Sequence, residues 1–311
     1  MDSASVRDYL KLHFIVFLWG FTAILGNEMT LASTDLVLYR TGLAALLLAV
    51  VMRIKAKTFK FHRGAIIVLF LTGFLVAAHW VTFFESARIS TVSVCLAGMA
   101  TTTFWTSLLE PLFKRQKIQA FQVFLGLMVI FGLYLIFKFE FNHAEGLLMA
   151  ILSALLVAIF SVLNSKFTHK YPPYGITFYE MMGAAIGLLV FIPFYKTIIL
   201  GETAVYDVPT QRDWILMILL SGVCTVYAFS ASIELMKRIS AFTVSLSVNL
   251  EPVYGIILAL IIYGEEEKMS GGFYYGTLVI ILAVLSYPVV RRYKRRRMNR
   301  VQSGGTARPI A

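Results

Sequence analysis

Residues 238–254 read RISAFTVSLSVNLEPVY. After the opening Arg238 the run holds a single carboxylate, Glu251, followed at once by Pro252, and it continues without charge to Tyr263. Some 25 apolar or small residues with one acid among them are enough to cross a hydrocarbon core, which needs about 20. Its first three letters occur twice: Arg88-Ile89-Ser90 stands 150 residues before Arg238-Ile239-Ser240, and each opens an apolar run. The stretch therefore reads as a membrane-spanning segment in a duplicated chain.

Composition carries that reading to the whole molecule. Of 311 residues, 59% are hydrophobic and 14% charged, with mean hydropathy +0.77. Soluble domains average roughly 45–50% apolar and about 25% charged residues, and a compact fold of this size has too little interior to hide the difference. Apolar runs of spanning length fall at 9–26, 35–52, 64–86, 90–113, 118–137, 145–165, 174–195, 213–236, 239–263 and 272–290. The predicted fold class is an all-α integral membrane protein with ten transmembrane helices. Cys95 and Cys224 lie within apolar runs and read as small hydrophobes.

The net charge of +11 serves orientation. With the N-terminus in the cytoplasm, 22 of the 28 Lys and Arg residues fall on the cytoplasmic side and five outside, while Arg40 sits within a span. Cytoplasmic loops retain basic residues, so both ends are expected inside the cell's plasma (inner) membrane. Residues 291–311 hold eight basic and no acidic side chains. That tail is expected to meet anionic lipid, at about 1 kcal/mol per basic residue near the surface, and nucleic acid is not an expected partner.

The repeat is internal and inverted. A shift of 150 also brings Gly126 onto Gly276, and a shift of 140 brings Tyr39 onto Tyr179 and Ala44-Ala45 onto Ala184-Ala185. Two units, 9–137 and 145–290, hold five spans each. Five is odd, so the second unit is upside down relative to the first, an arrangement that places ligand sites near the midplane between repeats.

Trp19-Gly20 in the first span, Arg40 early in the second, Leu250-Glu251-Pro252 in the ninth and Gly264-Glu265 at its end resemble the drug/metabolite transporter superfamily, in its EamA-type branch. The first repeat departs from the pattern, with Ala100-Thr101-Thr102 in place of Leu250-Glu251-Pro252 and Lys114-Arg115 in place of the Gly-Glu pair. The resemblance implies a secondary-active carrier of small organic solutes, amino acids or related metabolites, working as an exporter by alternating access. It also implies a central cavity lined by spans one, three, four, six, eight and nine.

Ionisable groups within spans mark candidate sites, because they are costly there and tend to face a pathway or a partner. Glu251 lies near mid-depth, and Ser240, Thr243, Ser247, Glu251 and Tyr254 recur at helical spacing as one polar stripe, with Asn249 beside it. Pro252 lacks an N–H and frees a carbonyl one turn earlier. The acid suits a cationic ligand group or a proton; the alternative is a structural carboxylate. His79, Thr82 and Ser86 share a face with Trp80 adjoining. His79 reads either as a titrating group for proton coupling or as an interhelical hydrogen bond, and Trp80 as a stacking surface or as helix packing. Trp19 belongs to the same candidate set. Arg40 and Glu180 hold matching positions near opposite ends, Arg40 as a gate or substrate group and Glu180 as a gate, or each as a side chain that snorkels to its interface.

Other classes of function find little support. The chain has no H-E-x-x-H, G-x-S-x-G or phosphate-cradling motif, so neither a cofactor, a metal nor an enzymatic reaction is expected. A channel-like facilitator and an intramembrane enzyme built on His79 and Glu251 are the alternatives to a carrier.

Overall fold

The computed structural model describes residues 4–139, 141–201, 203, 205–283, 286 and 290. The basic tail and, apart from 286 and 290, residues 284–290 of the expected tenth span lie outside the described residues. Ten helices follow one another: α1 (Val6–Asn27), α2 (Ser33–Ile54), α3 (Arg63–Ile89), α4 (Val92–Lys114), α5 (Ala120–Phe139), α6 (Ala144–Phe167), α7 (Pro173–Ile199), α8 (Gln211–Leu235), α9 (Ala241–Tyr263) and α10 (Gly271–Ala283). Among the described residues eight have the length and hydropathy to cross a membrane, while α5 and α10 count as shorter apolar helices. No strand occurs among the described residues. The protein is an all-helical, multi-pass membrane protein.

Local chemistry sets the helix ends. Ser5 and Asp8 form a reciprocal capping box at the start of α1, as Thr210 and Asp213 do for α8. Both helices thus begin two or three residues before apolarity alone suggests. The side chain of Thr91 caps α4 and that of Ser240 caps α9, so Ser240 terminates the helix and is not part of its face.

The helix contacts carry the duplication. Exchanging each helix for the one five places along maps α3–α6 onto α1–α8, α3–α7 onto α2–α8, α4–α6 onto α1–α9, and α2–α3 onto α7–α8. The pairs α2–α7 and α4–α9 map onto themselves. A pseudo-twofold axis passing between the halves produces this pattern, and an odd helix count makes the halves antiparallel. Along the axis α5 meets α10 at two glycines. A Cβ built on Gly132 would lie 2.8 Å from the carbonyl oxygen of Gly276, and one on Gly276 would lie 2.5 Å from that of Gly132. The gapless alignment pairs Gly126 with Gly276, but in the packed molecule Gly126 abuts Phe104.

Two breaks obey the same symmetry. Helix α4 is interrupted between Met99 and Thr102, and α9 between Val248 and Glu251. Pro252 accounts for the second, since it cannot donate to the preceding turn. In α4 the equivalent position is Thr102, whose hydroxyl donates to the Met99 carbonyl at 2.7 Å, and Thr101 does the same to Gly98 at 2.8 Å. Hydroxyls thus occupy the freed carbonyls where no proline stands. Helix α1 is also broken, at Phe21, and α8 widens to π geometry over Leu220–Phe229.

Candidate functional site

The interrupted helices surround a cavity of about 790 Å³, its mouth included. Its walls come from α1 (Trp19, Thr22), α2 (Arg40), α3 (His79, Trp80, Phe83), α4 (Met99, Thr102), α6 (Val157, Phe160, Ser161, Asn164), α8 (Phe229, Ser232, Ile233, Met236) and α9 (Val244, Ser245, Val248, Glu251). From their places along the helices, Trp19, Thr22, Arg40 and Phe83 line the part far from the N-terminus. Asn164, Met236 and Val244 line the part nearer the N-terminal face.

Arg40 is held in place by its surroundings. It is 2% exposed, so it does not snorkel. Its Nε–H donates to Thr225 Oγ1 at 2.9 Å, and its guanidinium carbon lies 3.8 Å from the centroid of the Trp80 ring. The π stretch of α8 supplies this partner: the Thr225 hydroxyl donates in turn to the Leu220 carbonyl, five residues back, and such irregular turns recur at functional positions. No other side-chain bond from Arg40 appears among the described residues, so the two terminal NH₂ groups of its planar fork remain for a ligand, in a geometry suited to a carboxylate.

Glu251 occupies a different wall. It is the first residue of the second half of α9, where the positive end of a helix dipole favours a negative group. Among the described residues it forms no hydrogen bond and no ion pair, and Arg40 likewise has no carboxylate within 4 Å. A buried cation and a buried acid therefore line one cavity without neutralising each other directly.

Between them the lining is aromatic. Trp80 and Phe229 meet edge to face at 5.9 Å between centroids, while Phe160 and Phe229 at 5.9 Å and His79 and Phe160 at 5.5 Å are tilted. His79 also joins α3 to α6. The Ser153 hydroxyl donates to the His79 carbonyl at 2.8 Å, and the ring Nδ1 lies 2.7 Å from that hydroxyl oxygen and 3.0 Å from the Ser153 carbonyl, which can only accept, so Nδ1 carries a hydrogen directed at the two Ser153 oxygens. This network assigns the Nδ1–H tautomer and leaves Nε2 as an acceptor. Of the two sequence readings of His79, the interhelical bond is the one this geometry displays. Trp19 similarly bridges helices, its indole N–H donating to the Cys224 carbonyl at 3.1 Å, while its ring faces the cavity.

Four expected site residues stand off the wall. Thr82 bonds back to the Ala78 carbonyl, and Ser247 to that of Thr243. Tyr254 packs edge-on against Phe17. The side-chain amide of Asn249 donates to the Thr103 hydroxyl across the α4–α9 seam. Val244, Ser245, Val248 and Glu251 stand at i, i+1, i+4 and i+7, an ordinary helical face rotated about a quarter-turn from the Ser240, Thr243, Ser247 and Tyr254 stripe, so Glu251 at its edge reaches the cavity and the stripe does not. Glu180 is fully buried behind the wall and accepts from Asn164 at 3.3 Å. The aromatic residues Phe160 and Phe229 are legible only as part of two patterns at i, i+3, i+4 and i+7, namely 157/160/161/164 and 229/232/233/236. Arg40 adds α2 to the set of helices expected around the cavity.

The two ends of the bundle differ in how they are tied. On the face opposite the N-terminus, Lys196 pairs with Asp35 at 3.2 Å and with Asp207 at 3.1 Å. Asp207 accepts from the Ala32 amide, and Asp213 accepts from Thr30 through both backbone and side chain. These bonds join the starts of α2 and α8, the end of α7 and the connecting loops at that end of the bundle. Asp207 lies outside the helices. Burial pushes its carboxyl up, but the Ala32 amide and the Lys196 ammonium more than offset this and hold it below the ordinary value. On the N-terminal face, Asp8 pairs with Arg238 at 2.7 Å and Lys11 with Glu234 at 2.9 Å. Glu110 takes the Phe242 amide at 2.7 Å as well as Lys114.

Comparison with known proteins agrees with this architecture. The model of the EamA-like transporter family matches residues 9–138 and again 144–287. "Uncharacterized transporter YxxF" of Bacillus subtilis (strain 168) is 25% identical over 293 residues, 91% of this chain and 89% of that protein. "Uncharacterized transporter C22F8.04" of Schizosaccharomyces pombe (strain 972 / ATCC 24843) is 24% identical over 194 residues, 62% of this chain and 50% of that protein. A solved crystal structure superposes with a TM-score of 0.68 at 15% identity, covering 93% of this chain and 99% of its own, and shares the fold. With both halves of the sequence matched in turn, the chain belongs to the EamA-like transporter family.

Proposed function

We propose that the protein is a secondary-active carrier of zwitterionic solutes of the amino-acid class, exporting them across the plasma membrane by alternating access, with both termini in the cytoplasm. The observation that carries this reading is the pair Arg40 and Glu251, buried on different walls of one cavity and not bonded to each other. A carboxylate fits the free side of the Arg40 fork and an ammonium group fits Glu251, while Trp80, Phe160 and Phe229 accept an apolar or aromatic side chain. The family match supports transport of a small molecule, and the inverted repeats supply the two exchangeable conformations that a carrier needs. The bonds around Lys196 favour a carrier over a channel, because they tie helices of the two repeats together at one end of the bundle, as ion pairs that can open and re-form would.

Counterflow in proteoliposomes tests the assignment. Vesicles loaded with an amino-acid mixture are expected to take up labelled aromatic or branched amino acids. The matching amines and carboxylic acids, each lacking one charge, are expected to compete about tenfold less well. Glu251→Gln should erase the preference for the zwitterion over the acid. Equal competition by all three ligand types in the wild type would sink the proposal.

A further inference from the structure

Behind the cavity wall, Glu180 of α7 is completely buried. Its one described bond comes from Asn164 of α6, whose amide donates to Oε2 at 3.3 Å. Glu180 Oε1 and Asn164 Oδ1 are both buried and both without a partner. As long as the carboxyl is ionised these two atoms are acceptors and cannot satisfy each other. One proton on Oε1 resolves both: the acid O–H donates to Oδ1 while the amide N–H still donates to Oε2, closing a ring of two hydrogen bonds.

Surrounding charges do not offer an alternative. From α2, Asp35 is held by Lys196, Arg40 by Thr225 and Trp80, and Arg53 is exposed; the Tyr39 hydroxyl donates to the Asp207 carbonyl. From α3, His79 is bonded to Ser153, Glu85 to Ser33, Arg88 to the Gly26 carbonyl, and Arg63 is exposed. From α8, Arg212 meets Glu28, Asp213 meets Thr30, Glu234 meets Lys11, the Cys224 thiol meets the Leu18 carbonyl, and Tyr227 packs on Phe14. On α6, Glu145 is exposed at the far end of the helix, and Lys166 lies over Phe113. Within α7, Tyr179 donates to the Phe59 carbonyl, Tyr174 meets Lys55, Tyr195 stacks on Phe191, and Lys196 is bonded as above. An ionised carboxyl at Glu180 would stand in an apolar medium with one amide for company, a costly state.

We infer that Glu180 and Asn164 form a proton-binding site, an acid–amide pair that couples the carrier to a proton gradient. Coupling rests on the carrier reading; proton binding does not. Asn164 lines the cavity, so the proton enters and leaves there, and uptake is simply R–COO⁻ plus H⁺ giving R–COOH. Because the two residues sit on different helices, a shift of α6 against α7 opens the ring and frees the proton. His79, the other candidate for this task, already spends its Nδ1–H on Ser153.

Two measurements decide it. Infrared difference spectra of the purified protein between acid and alkaline pH are expected to show a protonated-carboxyl C=O band that is lost in Glu180→Gln and shifted in Asn164→Leu. A band unchanged in Glu180→Gln overturns the site. In proteoliposomes Glu180→Gln, which can keep a ring with Asn164, is expected to retain counterflow and to lose accumulation driven by a pH gradient. Gradient-driven accumulation at the wild-type level overturns the coupling. If the wild type moves no amino acid at all, the substrate reading fails and the infrared result still decides the proton site.

Discussion

The Arg40 guanidinium lies over the face of the Trp80 ring, 3.8 Å from its centroid, at the wall of a cavity that also holds Glu251. Trp80 belongs to α3 and Arg40 to α2, while Thr225 of α8 fixes the guanidinium through Nε. Three helices thus set the position of one cation. Its charge is balanced by an indole face and not by an acid, so it stays available to an anion that enters from the cavity.

Trp80→Leu removes that face and is expected to raise the half-saturation concentration for substrate by about threefold to thirtyfold, from the ~0.5–2 kcal/mol of a cation–π contact. Trp80→Phe keeps a ring and is expected to lose less. Counterflow titrations on the two variants check the order. Equal affinity in wild type and Trp80→Leu would mean that the guanidinium needs no support from the ring.

Lys196 is the cation of the ion-pair network on the face opposite the N-terminus. Its side chain is 9% exposed and that of Asp35 is fully buried. Lys196→Met leaves Asp35 buried without its counterion, a change that costs about 3–5 kcal/mol when the pair is fully desolvated. The melting temperature in detergent is expected to fall, and a cysteine placed at Phe83 should label faster from the face opposite the N-terminus. Adding Asp35→Asn to Lys196→Met is expected to restore part of the stability, since the orphaned charge is gone. A double variant less stable than Lys196→Met alone contradicts this account.

Asp207 gives the same network an acid limit. Its folded carboxyl titrates below the ordinary 3.8, so its bonds stabilise the protein fully above that value and are lost as pH falls through the folded one. Melting curves of wild type and Asp207→Asn should therefore differ by a constant amount from neutral pH to about pH 5 and converge in more acid buffer. A gap that widens on acidification reverses the sign and removes Asp207 from the network.

What the sequence reveals, and what it hides, follows from the range of the forces involved. Spans and loops are legible because bilayer thickness and charge bias act on runs of many residues. Glu251, His79, Trp80, Arg40 and Trp19 are legible as polar or aromatic anomalies, and the structure brings all five to one cavity. The facing of α9 is not, since Glu251 belongs to two overlapping helical faces, 240/243/247/251/254 and 244/245/248/251, and packing decides which of them meets the cavity. The partner of Arg40 is hidden too. Thr225 comes within reach through the π stretch of α8, a feature with no residue signature of its own. Helix periodicity assumes 3.6 residues per turn, and it fails where these helices depart from that geometry.

The Gly132–Gly276 crossing gives the symmetry axis a mechanical test. Each glycine faces the other's carbonyl oxygen, with 2.8 Å and 2.5 Å available where a Cβ would stand. Ile280 Cγ1 and Ile136 Cγ1 crowd the same two positions at 2.6 Å each, and the facing backbone cannot yield as a side chain could, so α5 and α10 must separate to admit a methyl group. Overpacking of this kind costs about 1–3 kcal/mol. Gly132→Ala and Gly276→Ala are each expected to lower the melting temperature. Because both strain one crossing, the double variant should lose less than the sum of the two, as the first methyl group already spreads the helices for the second. Gly222→Ala, where a Cβ meets nothing within 4 Å, is the matched control and is expected to leave the melting temperature unchanged or slightly raised. Strictly additive losses at 132 and 276 would show two independent packing sites, and the self-mirrored contact between α5 and α10 would then have no mechanical meaning.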